Sequence, residues 1–479
     1  MNAVSWFVIF IPGVAALVTY VVPSRIGRTL TAISGLLTAT LIVIDAFGVL
    51  QPPPDALSSL FLLPVAIVYG TVGLYSAWYV AAESEDDEAG ERYRRDFLGL
   101  TNAFACAEVV VPLLSDMAGL WVALEVTTIL AALLVRLQGT DGALEAAWKY
   151  ILIASCGLAI GLVGVIVLYA AGTPALGAHY VPEWSAYRDA ASRLDPDAVR
   201  LAFVLALVGF GTKMGLAPMH TWLPDAHGAG PTPTSAMLSG VLLSDALYVI
   251  LRFAGITNAA GGTAMTHRLF AIVGLLSLGL GAFFLLRQRD IKRMLAYSSI
   301  EHMGIIAVGL SFGAPLAIVG ALLHAVNHAA SKSLAFFAAG RLAERYSTRE
   351  MAEIRGGVRA LPVSGTLFVL AGLSLAGFPP FGIFRSELMI LTGGFAGGSG
   401  WPAAAATVLL VVAFAGLVRW VTATTTGEPP DGTTRGEHAI LPVVAMLLGF
   451  AVVLGLGVVV PNPLASLLVR AAALFEGTR

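Results

Sequence analysis

The chain has 479 residues, of which 57% are hydrophobic and only 12% charged, with a formal net charge of -2. Soluble domains carry about 25% charged residues, so this composition excludes a soluble globular protein and points to a chain that crosses a bilayer many times. The net charge and the lack of a basic tract with interleaved aromatics exclude nucleic acid as a partner.

A hydrocarbon core takes roughly 20 apolar residues per helix. Runs of that length predict about fourteen transmembrane helices in an all-α polytopic membrane protein, near 4–22, 29–50, 59–82, 97–114, 117–136, 147–171, 200–222, 232–254, 267–287, 292–312, 315–341, 361–397 with an interruption, 401–424 and 438–461. The first run lacks the basic flank and small-residue cleavage site of a signal peptide, so it is expected to remain as a span. The acidic run ESEDDEAGE (83–91) reads as a solvated loop, and 172–199 as the longest polar connection. The end piece PLASLLVRAAALF (463–475) is too short to span and is expected at the interface. With the N-terminus outside, the inside loops collect seventeen Lys/Arg and the outside seven, Arg479 among the latter. This asymmetry predicts a bacterial-type inner membrane with both termini outside.

Two spans carry Gly/Pro interruptions, LAPMHTWLP in the seventh and AGFPPFG in the twelfth, five spans apart. Broken helices at matching positions predict two inverted five-helix repeats. The expected organisation is residues 1–96 for helices 1–3, 97–254 for the first repeat (helices 4–8), 267–424 for the second (helices 9–13) and 425–479 for helix 14 and the end helix.

Only four lysines occur, and Lys149, Lys213 and Lys332 fall in or at the edge of apolar spans while arginine serves the loops. A lysine at a helix centre costs about 2.5–3.5 kcal/mol on insertion scales, so such placement calls for a use. Unlike arginine, a buried lysine gives up its proton readily. Buried acids accompany them: Glu108 in ACAEVVVPLL, Glu125 in LWVALEVTTILAALL, Asp245 in GVLLSDALYVI, Glu301 beside His302 in AYSSIEHMGII, and Glu387 just past the second break. In LLHAVNHAASKSLAFF, His324, His328 and Lys332 recur every fourth residue along one helical stripe. His220 and His227 lie in the first broken helix, where capping freed carbonyls and carrying protons are both open to them. Intramembrane chains of this kind build proton relays. Glu108, Lys149, His220, His227, Glu301 and His302 are read as accessory or proton-uptake groups.

Cys106 and Cys156 lie alone in apolar runs, with no companion spacing for zinc or an iron–sulfur cluster, and read as small buried hydrophobes. His324 and His328 lack the opposed geometry of bis-histidyl haem, and no carboxylate or thiol completes a metal site. No cofactor and no metal are expected.

Four stretches, GTKMGLAPMHTWLPDAHGAGPTPTSAMLSGVLLSDALYVILRF (211–253), DIKRMLAYSSIEHMG (290–304), HAVNHAASKSLAFFAAG (324–340) and GFPPFGIFRSELMIL (377–391), together resemble the antiporter-like proton-pumping subunits of respiratory complex I. Within that superfamily, LEVTTILAALLVRLQGTDGALEAAWKYILIASCGLAI is most similar to component F of hydrogenase-4-type membrane complexes. The resemblance implies that Glu125 pairs with Lys213, that Lys332 is the central relay lysine with His328 and His324 on its face, and that Glu387 is the group from which the proton leaves. It also implies other membrane subunits as partners and, through them, a soluble redox or zinc-containing module, with no redox centre in this chain. A cation/proton antiporter module and a proton-coupled subunit of an inorganic-carbon uptake complex share the same relay and stay open. One departure stands out: many relatives carry Lys or His in the eighth span, where this chain has Ser244–Asp245.

Overall fold

In the computed structural model, which describes residues 3–48, 55–85 and 87–477, the chain is a bundle of helices. In chain order they are α1 Ala3–Val21, α2 Ser24–Ala46, α3 Ala56–Ala82, α4 Glu88–Leu113, α5 Met117–Arg136, α6 Asp141–Leu176, α7 Trp184–Ala190, α8 Pro196–Met214, α9 Trp222–Ala229 and α10 Thr232–Met237. There follow α11 Leu243–Ala259, α12 Thr263–Leu285, α13 Ile291–Ser311, α14 Pro315–Tyr346, α15 Gly357–Ala360, α16 Pro362–Leu375, α17 Gly382–Ala396, α18 Gly400–Thr425, α19 Ile440–Val458 and α20 Asn462–Glu476. A π turn, Leu238–Leu242, joins α10 to α11.

Among the described residues, ten helical stretches are long and apolar enough to cross a bilayer, and the chain is a polytopic membrane protein. Of the remaining helices, α8, α13, α14 and α17 hold Lys213, Glu301 with His302, Lys332, and Glu387. Those four carry these ionisable groups into the bundle, as α4, α5 and α11, among the ten apolar stretches, carry Glu108, Glu125 and Asp245. Packing sorts the stretches by depth. The apolar window of Thr232–Ala259 is wholly buried, whereas only 28% of the apolar windows of α18 and α19 is covered, leaving Val408, Val411 and Leu447 as an apolar outer surface. At the centre, α14 packs against α3, α13, α16, α17 and α19.

Both interruptions read from the sequence are present, and they are built alike. In the first, α8 stops at Gly215, whose φ of +78° favours glycine; Leu216 N donates to Gly211 O (2.9 Å) and Gly215 N to Thr212 O (3.2 Å). In the second, Gly377 has φ +70°, Phe378 N donates to Leu373 O (3.0 Å) and Gly377 N to Ser374 O (3.0 Å). Each glycine is followed three residues later by a cis proline, Pro218 or Pro380. Protein groups take up further polar atoms at the first break, which lipid could not satisfy: Trp222 Nε1 donates to Thr212 O (2.8 Å) and Ala217 N to Ser277 Oγ (2.9 Å).

Four expectations change, the first being that Cys156, read as a buried hydrophobe, is exposed. The acidic run is only partly a loop, because Asp87 caps α4 through Gly90 N (2.7 Å) and Glu88–Glu91 form its first turn, where acids favour the helix dipole. The 172–199 connection is shorter than its polarity implied, since α6 runs on to Leu176 and α7 occupies Trp184–Ala190. Lys149 is not a buried lysine. It lies eight residues into α6 with its side chain 48% exposed, paired to Glu145 (2.6 Å) and Asp225 (3.2 Å). Val49–Leu50 at the end of the second expected span, Asp86 in the acidic run, and Arg479 of the outside count lie outside the described residues.

Candidate functional site

Two buried lysines organise the interior, and each is held in the same manner. Lys213 Nζ donates to Leu124 O (2.7 Å) and Thr128 Oγ1 (2.5 Å), one turn of α5. Lys332 Nζ donates to Leu295 O (2.7 Å) and to Ser298 Oγ, one turn of α13. Both side chains are completely buried. Each ammonium therefore rests on one carbonyl and one hydroxyl, acceptors that keep it hydrogen-bonded without fixing it in an ion pair.

Around Lys213 stand Glu125, Asp245 and Glu108, the acids whose charges act on it. Glu125 does not bond Lys213 directly. Its Oε1 accepts from Ser155 Oγ of α6 at 2.7 Å, and Oε2 is buried without a partner. Glu108 and Asp245 are fully buried, and none of their carboxyl oxygens has a hydrogen-bond partner. The π turn sets the direction of Asp245. One extra residue in a helical turn rotates everything after it by about 100°. Ser239, inside the turn, bonds Ser299 of α13 (2.8 Å), while Asp245 lies among charges from α4 and α8.

Around Lys332 the groups are connected. Glu301 is the acid that acts on it. Glu301 Oε2 lies 3.6 Å from His302 Nε2, and His302 Nδ1 is 3.0 Å from His324 Nε2. His324 Nδ1 in turn meets Ser386 Oγ at 3.0 Å, the residue before Glu387. Ligand atoms of His302, His324 and Glu387 lie within 4.8 Å of one another. Such a set has the chemistry of a metal site, so the expectation that no carboxylate stands beside these histidines is corrected: Glu387 of α17 does, because packing of distant helices brings it there. Both nitrogens of His324 are taken, however, by His302 and Ser386, so the arrangement is a hydrogen-bonded file. His328 stacks edge-on to His302 at 5.3 Å, with both ring nitrogens free of hydrogen bonds. Asn327 fixes the second break over this file, donating to Gly382 O (2.7 Å), and Ser331 bonds Ser374 (3.0 Å).

His227 of α9 stands on the Lys332 side of the interior. It is fully buried, its Nδ1 meets Leu223 O at 2.9 Å, and its ring sits 6.0 Å from those of Trp222 and Phe336. Its electrostatic neighbours include Lys332 and Lys292. His220 lies in the first break, with Nδ1 unpartnered.

At the Arg-rich end of the bundle a cavity of about 620 Å³ opens beside the first break, lined in part by Glu83, Lys149, Asp225, Lys292 and Arg349. Burial pushes the Glu83 carboxyl up from its ordinary value, against the pull of the Lys292 charge. Lys292 is a functional candidate that the sequence reading passed over as a loop cation. It is 4% exposed, and its ammonium donates to Gly230 O at the end of α9. Its position beside Arg293, at the start of an apolar run, gives no sign of burial. Asp225 is held on one side by Lys149 and on the other by Arg293 (2.5 Å).

Buried lysines, carboxyls and histidines in a polytopic bundle with two broken helices define the class as a membrane subunit of the antiporter-like fold. Residues 115–413 match the transmembrane model described as NADH:quinone oxidoreductase/Mrp antiporter, and the chain belongs to this family. It is 35% identical over 408 residues to a hydrogenase-4 component F homolog of Methylacidiphilum infernorum, covering 85% of each. It is 33% identical over 360 residues to NADH-quinone oxidoreductase subunit N of Desulforudis audaxviator, covering 72% of this chain and 69% of that one. Its fold matches a chain in the structure of the membrane-bound sulfane sulfur reductase, an archaeal respiratory membrane complex, with TM-score 0.84 at 24% identity, covering 99% of this chain and 98% of that one.

Proposed function

We propose that this chain is a proton-translocating subunit of a larger membrane complex driven by a redox partner, and that protons cross it through the two lysine clusters. The observation that carries the reading is the set of buried titratable groups Lys213, His227, Lys332, Glu301, His302, His324 and Glu387, of which His302 and His324 are hydrogen-bonded and Glu301 lies 3.6 Å from His302. Protons are taken up from the inside through the charged cavity beside the first break, where Asp225 and Lys292 line the mouth. They are released outside near Glu387. Lysine on a carbonyl and a hydroxyl suits this work, because an ammonium without a permanent counter-ion loses its proton when a nearby acid draws away. The matching hydrogen bonds of the two breaks, and of the two lysines, support an inverted repeat with half-channels that face opposite sides. The relatives' assignment to hydrogenase and quinone oxidoreductase supports a complex of that kind in a bacterial inner membrane, with a soluble module attached through other subunits.

The test is proton flux in vesicles that contain the purified complex. His324→Gln interrupts the His302–Ser386 file and is expected to lower flux at least tenfold with assembly intact. Unchanged flux would remove the file from the path. Flux that needs sodium or potassium on the opposite side would favour the antiporter module.

A further inference from the structure

Glu108 and Asp245 face each other from α4 and α11, and the facing is fixed by a hydrogen bond one turn away. Tyr248, three residues past Asp245, donates its hydroxyl to the carbonyl of Pro112, four residues past Glu108, at 3.2 Å. Both carboxyls are fully buried, and none of their four oxygens meets a protein donor. The charge of Asp245 acts on Glu108, and Lys213 of α8 acts on both. The other titratable groups that face this pocket are Glu125 of α5 and Tyr150 of α6.

Two buried carboxylates side by side cannot both stay ionised, and two neutral acids would leave the adjacent lysine with less compensation. We infer that Glu108 and Asp245 form a carboxyl pair that shares one proton and exchanges it with Lys213, so that an acid pair serves the first half of the chain as its proton store. This rests on the relay reading above and deepens it. The step balances within the cluster: an N–H bond of the Lys213 ammonium breaks, an O–H bond forms on the pair's ionised oxygen, and a neutral amine faces two neutral acids. The reverse step restores the ammonium. Shared protons of this kind belong to the pair and not to either residue, which gives the proposal a distinctive signature.

The experiment is infrared difference spectroscopy of the full chain in lipid vesicles at neutral pH, reading the protonated-carboxyl C=O band and its shift in D2O. Read as wild type minus the Glu108→Gln/Asp245→Asn double variant, so that the other buried acids Glu301 and Glu387 cancel, the band is expected to hold one protonated carboxyl from this pair. Glu108→Gln and Asp245→Asn are each expected to abolish the band, because a lone carboxylate beside Lys213 ionises. Lys213→Met is expected to double it. Glu108→Asp keeps it, as a control for folding. Two independent neutral acids, seen as a half loss in each single variant, would overturn the inference, and so would a wild type without the band. Flux separates the two readings: a normal band response with flux indifferent to Lys213 sinks the relay alone, whereas a failed band response with flux lost in Lys213→Met sinks the pair alone.

Discussion

Replacing Lys213 with methionine removes one titratable group and little else. Leu124 O loses the ammonium but keeps Thr127 Oγ1 (2.7 Å) and Thr128 Oγ1 (3.0 Å) as donors, so no buried carbonyl is orphaned. Two charged hydrogen bonds, each worth about 1.5–3 kcal/mol, disappear together with the cost of burying the charge, and the net change in stability is expected within about 2 kcal/mol. Conduction should respond far more. Without an amine to receive it, the proton must enter the mid-membrane site unassisted, and a charge there costs about 2.5–3.5 kcal/mol. At 1.36 kcal/mol per factor of ten, that slows transfer roughly 100-fold. The assay is quenching of a trapped pH dye in vesicles that hold the purified complex, with a melting curve on the same sample. Lys213→Arg sharpens it, because arginine keeps the charge and does not release its proton. Flux within threefold of wild type in the methionine variant, or full flux in the arginine variant, would refute a proton-carrying role.

Glu125→Gln preserves the acceptor for Ser155 and is expected to leave melting unchanged while flux falls at least tenfold, read in the same vesicles. Ser298→Ala takes one of the two acceptors from Lys332; about 1–2 kcal/mol of stability should be lost, with a several-fold drop in flux. Gly209 packs so closely on α6 that an added Cβ would lie 2.6 Å from Gly161 Cα and 2.7 Å from Gly157 O. Gly209→Ala should therefore cost about 1–3 kcal/mol in a thermal melt and, by displacing Lys213 one turn on, reduce flux. At the other end of the bundle, Asp55 pairs with Arg252 at 2.5 Å. Burial acts to raise the Asp55 pKa, but the Arg252 charge and hydrogen bond outweigh it, and the net shift is downward. A lowered folded-state pKa gives stability that is present above the unfolded value and lost as pH falls through the folded one. Because Asp55 is 43% exposed, water screens the pair to about 1 kcal/mol or less. Asp55→Asn should erase that acid sensitivity in melts taken between neutral pH and pH 3.

Hydropathy and the placement of rare charges determined a good deal without coordinates. The bilayer imposes a length of about 20 apolar residues and a penalty on charge, so both are written locally in the chain, and α5, α8 and α14 could be marked with Glu125, Lys213 and Lys332 from sequence alone. Glycine and proline likewise announce their own breaks at Gly215 and Gly377. Contact between spans is another matter, because it depends on rotation about each helix axis and on neighbours far away in the chain. The expected Glu125–Lys213 pair became a lysine on Leu124 and Thr128 with Glu125 turned to Ser155. Lys292 went in and Lys149 came out, since each lies near a helix end where local polarity does not tell a buried end from an exposed one. Only the packing of α13, α14 and α17 brings His302, His324 and Ser386 into one file, and only a π turn, which no residue pattern announces, turns Asp245 toward Glu108.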